Sequence, residues 1–279
     1  MDNYFLLGNP VAHSKSPLIH ARFAELTGQA LHYQPWLTPL DGFAATLAQL
    51  VHSGARGCNV TVPFKFQAFK ASHTQTDRAK LAQAVNTLIF ENGQIHADNT
   101  DGAGLVNDIQ NNAGVSLAGR DVLLIGAGGA GTGALAPLLA AGPRRLVLAN
   151  RTRTRADALA ERHKAHPALQ AALQKTELQV QDLQALEGTF DVIINASSSS
   201  LTGSAVPVDS RVLKPGALAY DMMYGPAAVG FMTWAREHGA TPRDGLGMLV
   251  EQAAEAFSLW RGVRAPSAQV LQEMRTLLA

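Results

Sequence analysis

The sequence predicts two successive α/β domains, the second of them doubly wound, with helices closing the chain. Three observations predict this. Short β-rich apolar runs alternate with helical stretches along all 279 residues, the pattern of parallel α/β structure. Near residue 125 an apolar strand runs through a glycine-rich turn into a helix. The chain is also longer than the ~250 residues at which single cores stop growing, and Asn111-Asn112-Ala113-Gly114 supplies a natural junction.

Taken in order, Tyr4 to Leu7 reads as a strand. A helix from about Pro17 to Leu26 starts on serine and proline and stops at Gly28. A strand at His32 to Trp36 and a helix at Asp41 to His52 follow, then a strand at Gly57 to Val62 closed by Pro63. A helical pair reaches about Gln83. Val85 to Phe90 and Gln94 to Ala97 read as strands joined by a Glu-Asn-Gly turn. The helix at Gly102 to Ala113 carries the domain boundary.

The second series has strands at Val122 to Ile125, Leu146 to Ala149, Leu178 to Val180, Val192 to Ile194 and Leu218 to Met222. Helices are expected near Ala130 to Ala140 and Arg155 to His166, with a helical turn near Leu183. The last helices are Leu246 to Trp260 and Ser267 to Leu278. The expected domains are 1–101, 102–240 and a C-terminal helical segment, 241–279, packing back on the first.

Composition excludes several classes. The chain is 47% hydrophobic and 16% charged, and 23 basic against 22 acidic residues leave a net charge of +1. That balance argues against a nucleic-acid or membrane partner. The single cysteine, Cys58, cannot form an internal disulfide and suits a reducing compartment. The N-terminus lacks the basic flank of a secretion signal, so the cytoplasm is expected. No metal-ligand cluster is visible.

Val122-Leu123-Leu124-Ile125-Gly126-Ala127-Gly128-Gly129-Ala130-Gly131 is a strand entering Gly-x-Gly-x-x-Gly and then a helix. The first glycine permits the turn, the second lets backbone approach a pyrophosphate, and the third allows close helix–strand packing. The helix N-terminus offers free N–H groups to the anion. This is the Rossmann-like arrangement of a dinucleotide site. The next strand ends at Asn150, where an NAD site commonly has a carboxylate for the ribose 2′-hydroxyl. Arg151, Thr152 and Arg155 follow. Arginines at a helix start oppose its dipole, so a negative group is expected there, and NADP is favoured over NAD.

The first domain carries polar clusters at strand ends: His13-Ser14-Lys15-Ser16-Pro17, Asn59-Val60-Thr61-Val62-Pro63-Phe64-Lys65, Asn86-Thr87 and Asp98-Asn99-Thr100-Asp101-Gly102. Strand ends line the ligand crevice of such sheets. One cation, one acid, hydroxyls and amides suit a small, polyhydroxylated, acidic molecule. Singly, each has a structural reading as a cap, turn residue or surface lysine.

These clusters resemble those of the shikimate dehydrogenase family, NADP-dependent enzymes that reduce 3-dehydroshikimate to shikimate. The resemblance runs nearly end to end. It also rests on Gly8-Asn9-Pro10, Ala84-Val85-Asn86-Thr87, the glycine loop, Asn150-Arg151-Thr152, Tyr220-Asp221-Met222-Met223-Tyr224 and Asp244-Gly245-Leu246-Gly247-Met248-Leu249-Val250-Glu251-Gln252-Ala253. It implies that Ser14 and Ser16 hold the substrate carboxylate. Asn59, Thr61, Tyr224 and Gln252 add polar contacts, Asn86 and Asp101 bind ring hydroxyls, and Lys65 is the acid/base group with Asp101 beside it. On the cofactor side it implies Gly126, Ala127, Gly128, Gly129 and Ala130 at the pyrophosphate. Asn150, Arg151, Thr152 and Arg155 follow at the adenosine phosphate, with Asp77, Met222 and Gly245 near the nicotinamide. The family usually has glycine where Ser200 stands and commonly threonine where Val229 stands. A broader quinate/shikimate paralogue using NAD would tend to carry an acid in place of Asn150. A catalytically silent regulator would be expected to lose the Lys65–Asp101 pair. A homodimer is among the assemblies the sequence allows.

Overall fold

The computed structural model describes residues 1–197, 199–200 and 206–278. The chain divides into two compact units, Met1–Gly104 with Leu249–Ala279, and Leu105–Met248.

The first unit holds strands β1 (Asp2–Gly8), β2 (Leu31–Leu37), β3 (Gly57–Val60), β4 (Thr74–Gln75), β5 (Thr87–Glu91) and β6 (Gln94–Asp98) in the order β2-β1-β3-β5-β6-β4. Its helices begin with α1 (Ser16–Thr27), α2 (Phe43–His52), α3 (Lys65–Ala71) and α4 (Asp77–Ala82). Gly28 ends α1 at φ +64° and returns its N–H to the last turn. The sheet is mixed, and β5 and β6 form the hairpin that the Glu-Asn-Gly turn predicts. β5 runs against both β3 and β6. Asn92 and Gly93 both have positive φ, 50° and 74°, and make the tight hairpin that sets β6 against β5. Two strand boundaries move inward, and one extra strand appears. β3 stops at Val60 rather than Val62, β5 starts at Thr87 rather than Val85, and the two-residue β4 interrupts the expected helical pair.

Residues Tyr4 to Leu7 of β1 are all buried, as befits a strand covered on both faces. Phe5 and Leu7 pack with Leu50, Val60, Phe64 and Leu88. On the other face Tyr4 stacks on Trp260 at 4.5 Å. Trp260 belongs to α10 (Leu246–Arg261), which is followed by α11 (Ser267–Leu277). Between α4 and these come α5 (Asp101–Asn107) and the helices of the second unit. Those are α6 (Gly129–Ala140), α7 (Arg153–Lys164), α8 (Gln170–Leu173) and α9 (Val229–Glu237).

The expected helix to Ala113 instead changes at Asp108 into a π-turn, with the Ala113 N–H reaching the Asp108 carbonyl. The Asp108 carboxylate is fully buried and takes donors from Arg243, Tyr220 and Asn112. A Cβ on Gly247 would lie 1.8 Å from Asp108 Oδ1, so only glycine fits there.

The second unit is a parallel six-stranded sheet of β7 (Asp121–Ile125), β8 (Arg145–Asn150), β9 (Glu177–Asp182), β10 (Phe190–Asn195), β11 (Leu213–Asp221) and β12 (Thr241–Arg243). Their order is β12-β11-β10-β7-β8-β9. Counted from β7, this is the 3-2-1-4-5-6 order of doubly wound dinucleotide-binding sheets, whose direction of winding reverses between β7 and β10. β7 is buried along its whole length. Its Leu123 and Ile125 pack with Val147, Phe190 and Ile193. α8, α9 and β12 were not anticipated from the sequence. No helix among the described residues is long and apolar enough to cross a membrane.

Candidate active site

The reversed strand explains how the polar clusters of the first unit meet. Parallel β1 and β3 end at one edge of the sheet. β5 runs the other way, so its beginning lies at that edge, with Asn59 opposite Thr87 and Thr87 opposite Asp98. Asn86 and Thr87 therefore stand at a strand's start, not at its end, yet beside the ends of β3 and β6.

Lys65 is the first residue of α3 and Asp101 the first of α5. A carboxylate is favoured at a helix start and a lysine is not, so helix stability gives no reason for Lys65. Its partner is Asp101, whose Oδ2 accepts from Lys65 Nζ at 2.5 Å. The two side chains are 16% and 6% exposed. Asp101 Oδ1 accepts from Asn86 Nδ2 at 2.8 Å, and the same amide donates to Gln252 Oε1 at 3.1 Å. The Asn99 side chain receives the Asp101 N–H and donates to the Ala84 carbonyl. Lys65, Asn86, Asp101 and Gln252 thus form one connected cluster.

Asn59, expected to contact substrate, is tied into the protein. It is buried, and its amide donates to the Asn86 carbonyl at 3.0 Å and to Thr87 Oγ1 at 3.1 Å. Its Oδ1 accepts from the Tyr33 hydroxyl at 2.9 Å. Tyr33 was not singled out in the sequence, and no motif there marks it.

Ser14 and Ser16 share a tight turn. The Ser16 N–H and the Ser14 hydroxyl are 3.2 Å apart, as are the two hydroxyls. Ser16 is buried and Ser14 half-buried. Thr61 sits just past β3, its N–H donating to the Leu7 carbonyl. A Cβ on Gly8 would come within 2.4 Å of Thr61 Cγ2, which is why β1 ends in glycine beside it.

In the second unit, Gly126 turns at φ +113°, where a Cβ would meet the Ala196 carbonyl at 2.8 Å. A Cβ on Gly131 would lie 2.0 Å from the Gly126 carbonyl, so the helix approaches the loop as closely as backbone allows. Gly128 has open space where a side chain would be, and α6 starts without a side-chain cap. A cradle of this shape, with the N–H groups of a helix start facing it, fits a pyrophosphate. Asn150 braces it: Oδ1 accepts from the Ala127 N–H at 3.0 Å and Nδ2 donates to the Thr152 carbonyl at 2.9 Å.

The arginines after Asn150 divide. Arg153 is tied to Asp157 and to the Val180 carbonyl. Arg151 and Arg155 are exposed and have no side-chain partner among the described residues. The first turn of α7 contains no acid.

Asp77 lies in the first turn of α4, exposed and 3.4 Å from Lys80. The cap of that helix is Thr76, whose hydroxyl accepts from the Ala79 N–H. Met222 follows β11, and its N–H bonds the Asn195 carbonyl. Gly245 packs so closely on Met222 that a Cβ would stand 2.2 Å from that residue's carbonyl oxygen. Tyr224 precedes a short 3₁₀ turn. Ser200 donates to Asp221 Oδ2 at 2.5 Å, and Asn195 donates to Ser200 at 3.1 Å. Burial raises the Asp221 pKa, against opposing bonds from Ser200, the Met223 N–H and Asn195. The hydroxyl at position 200 thus serves a buried carboxylate. Val229 opens α9, 59% exposed.

Three family models match the chain: a shikimate dehydrogenase substrate binding domain over residues 6–88, shikimate / quinate 5-dehydrogenase over 108–203, and a shikimate 5′-dehydrogenase C-terminal domain over 245–275. A shikimate dehydrogenase (NADP(+)) of Acidovorax sp. strain JS42 is 63% identical over 278 residues, covering 100% of this chain and 97% of that protein. Among solved structures, the Ael1 enzyme of Pseudomonas putida is 45% identical with a TM-score of 0.88, and 98% of each chain is covered. The shikimate 5-dehydrogenase of Thermus thermophilus, solved in complex with NADP(H) and shikimate, is 32% identical with a TM-score of 0.85 and full coverage of both chains.

Proposed function

The chain belongs to the shikimate dehydrogenase family, and we propose that it catalyses the reversible NADPH-dependent reduction of 3-dehydroshikimate to shikimate, with Lys65 and Asp101 serving the carbonyl being reduced. The observation that carries the residue assignment is the connected cluster of Lys65, Asp101, Asn86 and Gln252 at one sheet edge. In this reading the unit built on β1 to β6 holds shikimate, and the unit with the glycine loop holds NADP.

Bound NADPH supplies the hydride. The chain must then supply charge and a proton to the carbonyl oxygen. The Lys65 ammonium carries three N–H bonds and directs one at Asp101, leaving two for the substrate. Positive charge aimed at a developing oxyanion stabilises it most where water is excluded. Asp101 holds Lys65 in place while Asn86 holds Asp101. Gln252 keeps one amide N–H beyond the Leu249 carbonyl, and with the Asn86–Asp101 pair it faces the ring hydroxyls. Arg151 and Arg155 meet the adenosine 2′-phosphate, and Asn150 keeps their loop against the glycine cradle.

A quinate/shikimate enzyme using NAD fits less well, because position 150 carries an amide rather than an acid. A silent regulator has no use for a buried lysine–aspartate pair. The cytoplasm suits the lone, buried Cys58, and the chain acts alone or as a homodimer. A steady-state assay of shikimate and quinate, each with NADP and NAD, tests the reading. Turnover should be efficient only with shikimate and NADP, and preference for quinate or NAD would overturn it.

The paired hydroxyls of Ser14 and Ser16 receive the substrate carboxylate. A hydrogen bond to a charged group is worth about 1.5–3 kcal/mol, so Ser16→Ala should raise the shikimate KM about tenfold or more. The NADP KM should stay within about twofold, since no cofactor contact is lost. Calorimetry returning normal shikimate affinity for the variant would contradict the assignment.

A further inference from the structure

Behind Asn86 lies a line of hydrogen bonds that starts far from the reacting groups. Tyr33, on β2, is buried, and its hydroxyl donates to Asn59 Oδ1 at 2.9 Å. With its oxygen turned to Tyr33, Asn59 must turn its amide nitrogen to the Asn86 carbonyl and to Thr87 Oγ1. Thr87, accepting there, donates its own proton to Asn86 Oδ1 at 3.0 Å. The Thr100 N–H donates to the same oxygen at 2.8 Å. The Asn86 nitrogen is left facing Asp101 Oδ1. Every link runs one way, from the phenol to the carboxylate that grips Lys65.

Tyr33 must remain a donor for this line to hold. Burial pushes its pKa well above the usual value, with Cys58 adding to the effect and the Ser16 hydroxyl pulling the other way. Ser16 is thus a near neighbour of the same phenol. The ring is fixed from below by His20, stacked on it at 4.2 Å and 13°. His20 is fully buried with no hydrogen-bond partner for either ring nitrogen among the described residues. Burial lowers its pKa to about 3, against a smaller opposing pull from Asn59. It is therefore an uncharged platform under the phenol ring.

We propose that Tyr33 is a positioning residue for the substrate, holding Asn59 and through it Asn86 in the orientation that receives shikimate. The proposal rests on the shikimate reading above. Tyr33 touches none of the reacting groups, so its loss should loosen substrate binding and spare the chemical step.

Tyr33→Phe tests this, because phenylalanine keeps the stack on His20 and removes only the hydroxyl. One hydrogen bond's worth of order corresponds to a rise of about five- to tenfold in shikimate KM. The change in kcat should be no more than about threefold, and the NADP KM should not move. Titration of shikimate into the variant should show the same weakening as the KM. A variant that melts at a lower temperature but keeps the wild-type shikimate KM and affinity would reduce Tyr33 to packing and overturn the proposal. A wild-type enzyme inert to shikimate would instead overturn the reading on which it rests.

Discussion

Lys65→Ala should lower kcat by about a thousandfold while changing shikimate affinity by no more than about threefold, an effect on the scale of general acid–base and electrostatic catalysis. In free-energy terms this is about 4 kcal/mol of transition-state stabilisation. Lys65 stands where a helix does not want a cation, and it is held by Asp101 at 2.5 Å. Its charge gains little while the substrate oxygen is a neutral carbonyl and much more as that oxygen becomes an alkoxide. An interaction of this kind appears in kcat rather than in KM.

Lys65→Arg separates two versions of the chemistry. Arginine keeps the charge but hardly gives up a proton. In the oxidative direction a proton must leave the hydroxyl as hydride departs, so a residue that takes it cannot be replaced by arginine. We expect no rescue. Strong rescue by arginine would show that charge alone is required, and near-normal kcat in the alanine variant would remove Lys65 from the mechanism.

How much of this was legible in the sequence follows from what each feature depends on. Five of the six strands of the second unit are readable because the central ones are buried on both faces and so appear as continuous apolar runs, as Val122 to Ile125 does. The glycine loop is local, and its three glycines mark close backbone approaches whatever surrounds them. β12 and β4 escaped because strands of three and two residues carry no periodicity, and β12 contains Pro242 besides. The reversal of β5 was signalled by its turn, but its place beside β3 was not, since that depends on the pairing of Asn59 with Thr87, 28 residues away. The same non-local pairing hid the Tyr33–Asn59 bond. Asn59 looked like a ligand contact because it lies in a polar cluster; only the fold shows its oxygen and nitrogen both committed inside the protein. Asp108 was likewise silent: its partners Tyr220 and Arg243 lie more than a hundred residues ahead of it.

Replacing both Arg151 and Arg155 by alanine should weaken NADP by about a hundred- to a thousandfold and leave NAD within about threefold. Each guanidinium contact with a phosphate is worth about 1.5–3 kcal/mol, the lower figure applying to exposed groups such as these. Arg151→Ala alone should therefore cost about ten- to a hundredfold. The selectivity comes from the arrangement of the loop. Arg153 is engaged by Asp157 and Val180 and is not free to follow the cofactor. Arg151 and Arg155 have no such ties among the described residues. Asn150 is occupied in bracing Thr152 against the glycine turn, so the amide keeps the loop in place while the arginines supply the charge. Because both are exposed, their attraction is screened by salt. The NADP KM of the wild type should rise with ionic strength, and that dependence should flatten in the double variant. NAD, which lacks the 2′-phosphate, should show neither the loss nor the salt effect. Equal losses for the two cofactors would place these arginines at a group both share, such as the pyrophosphate, and the basis for NADP preference would have to be sought elsewhere in the loop.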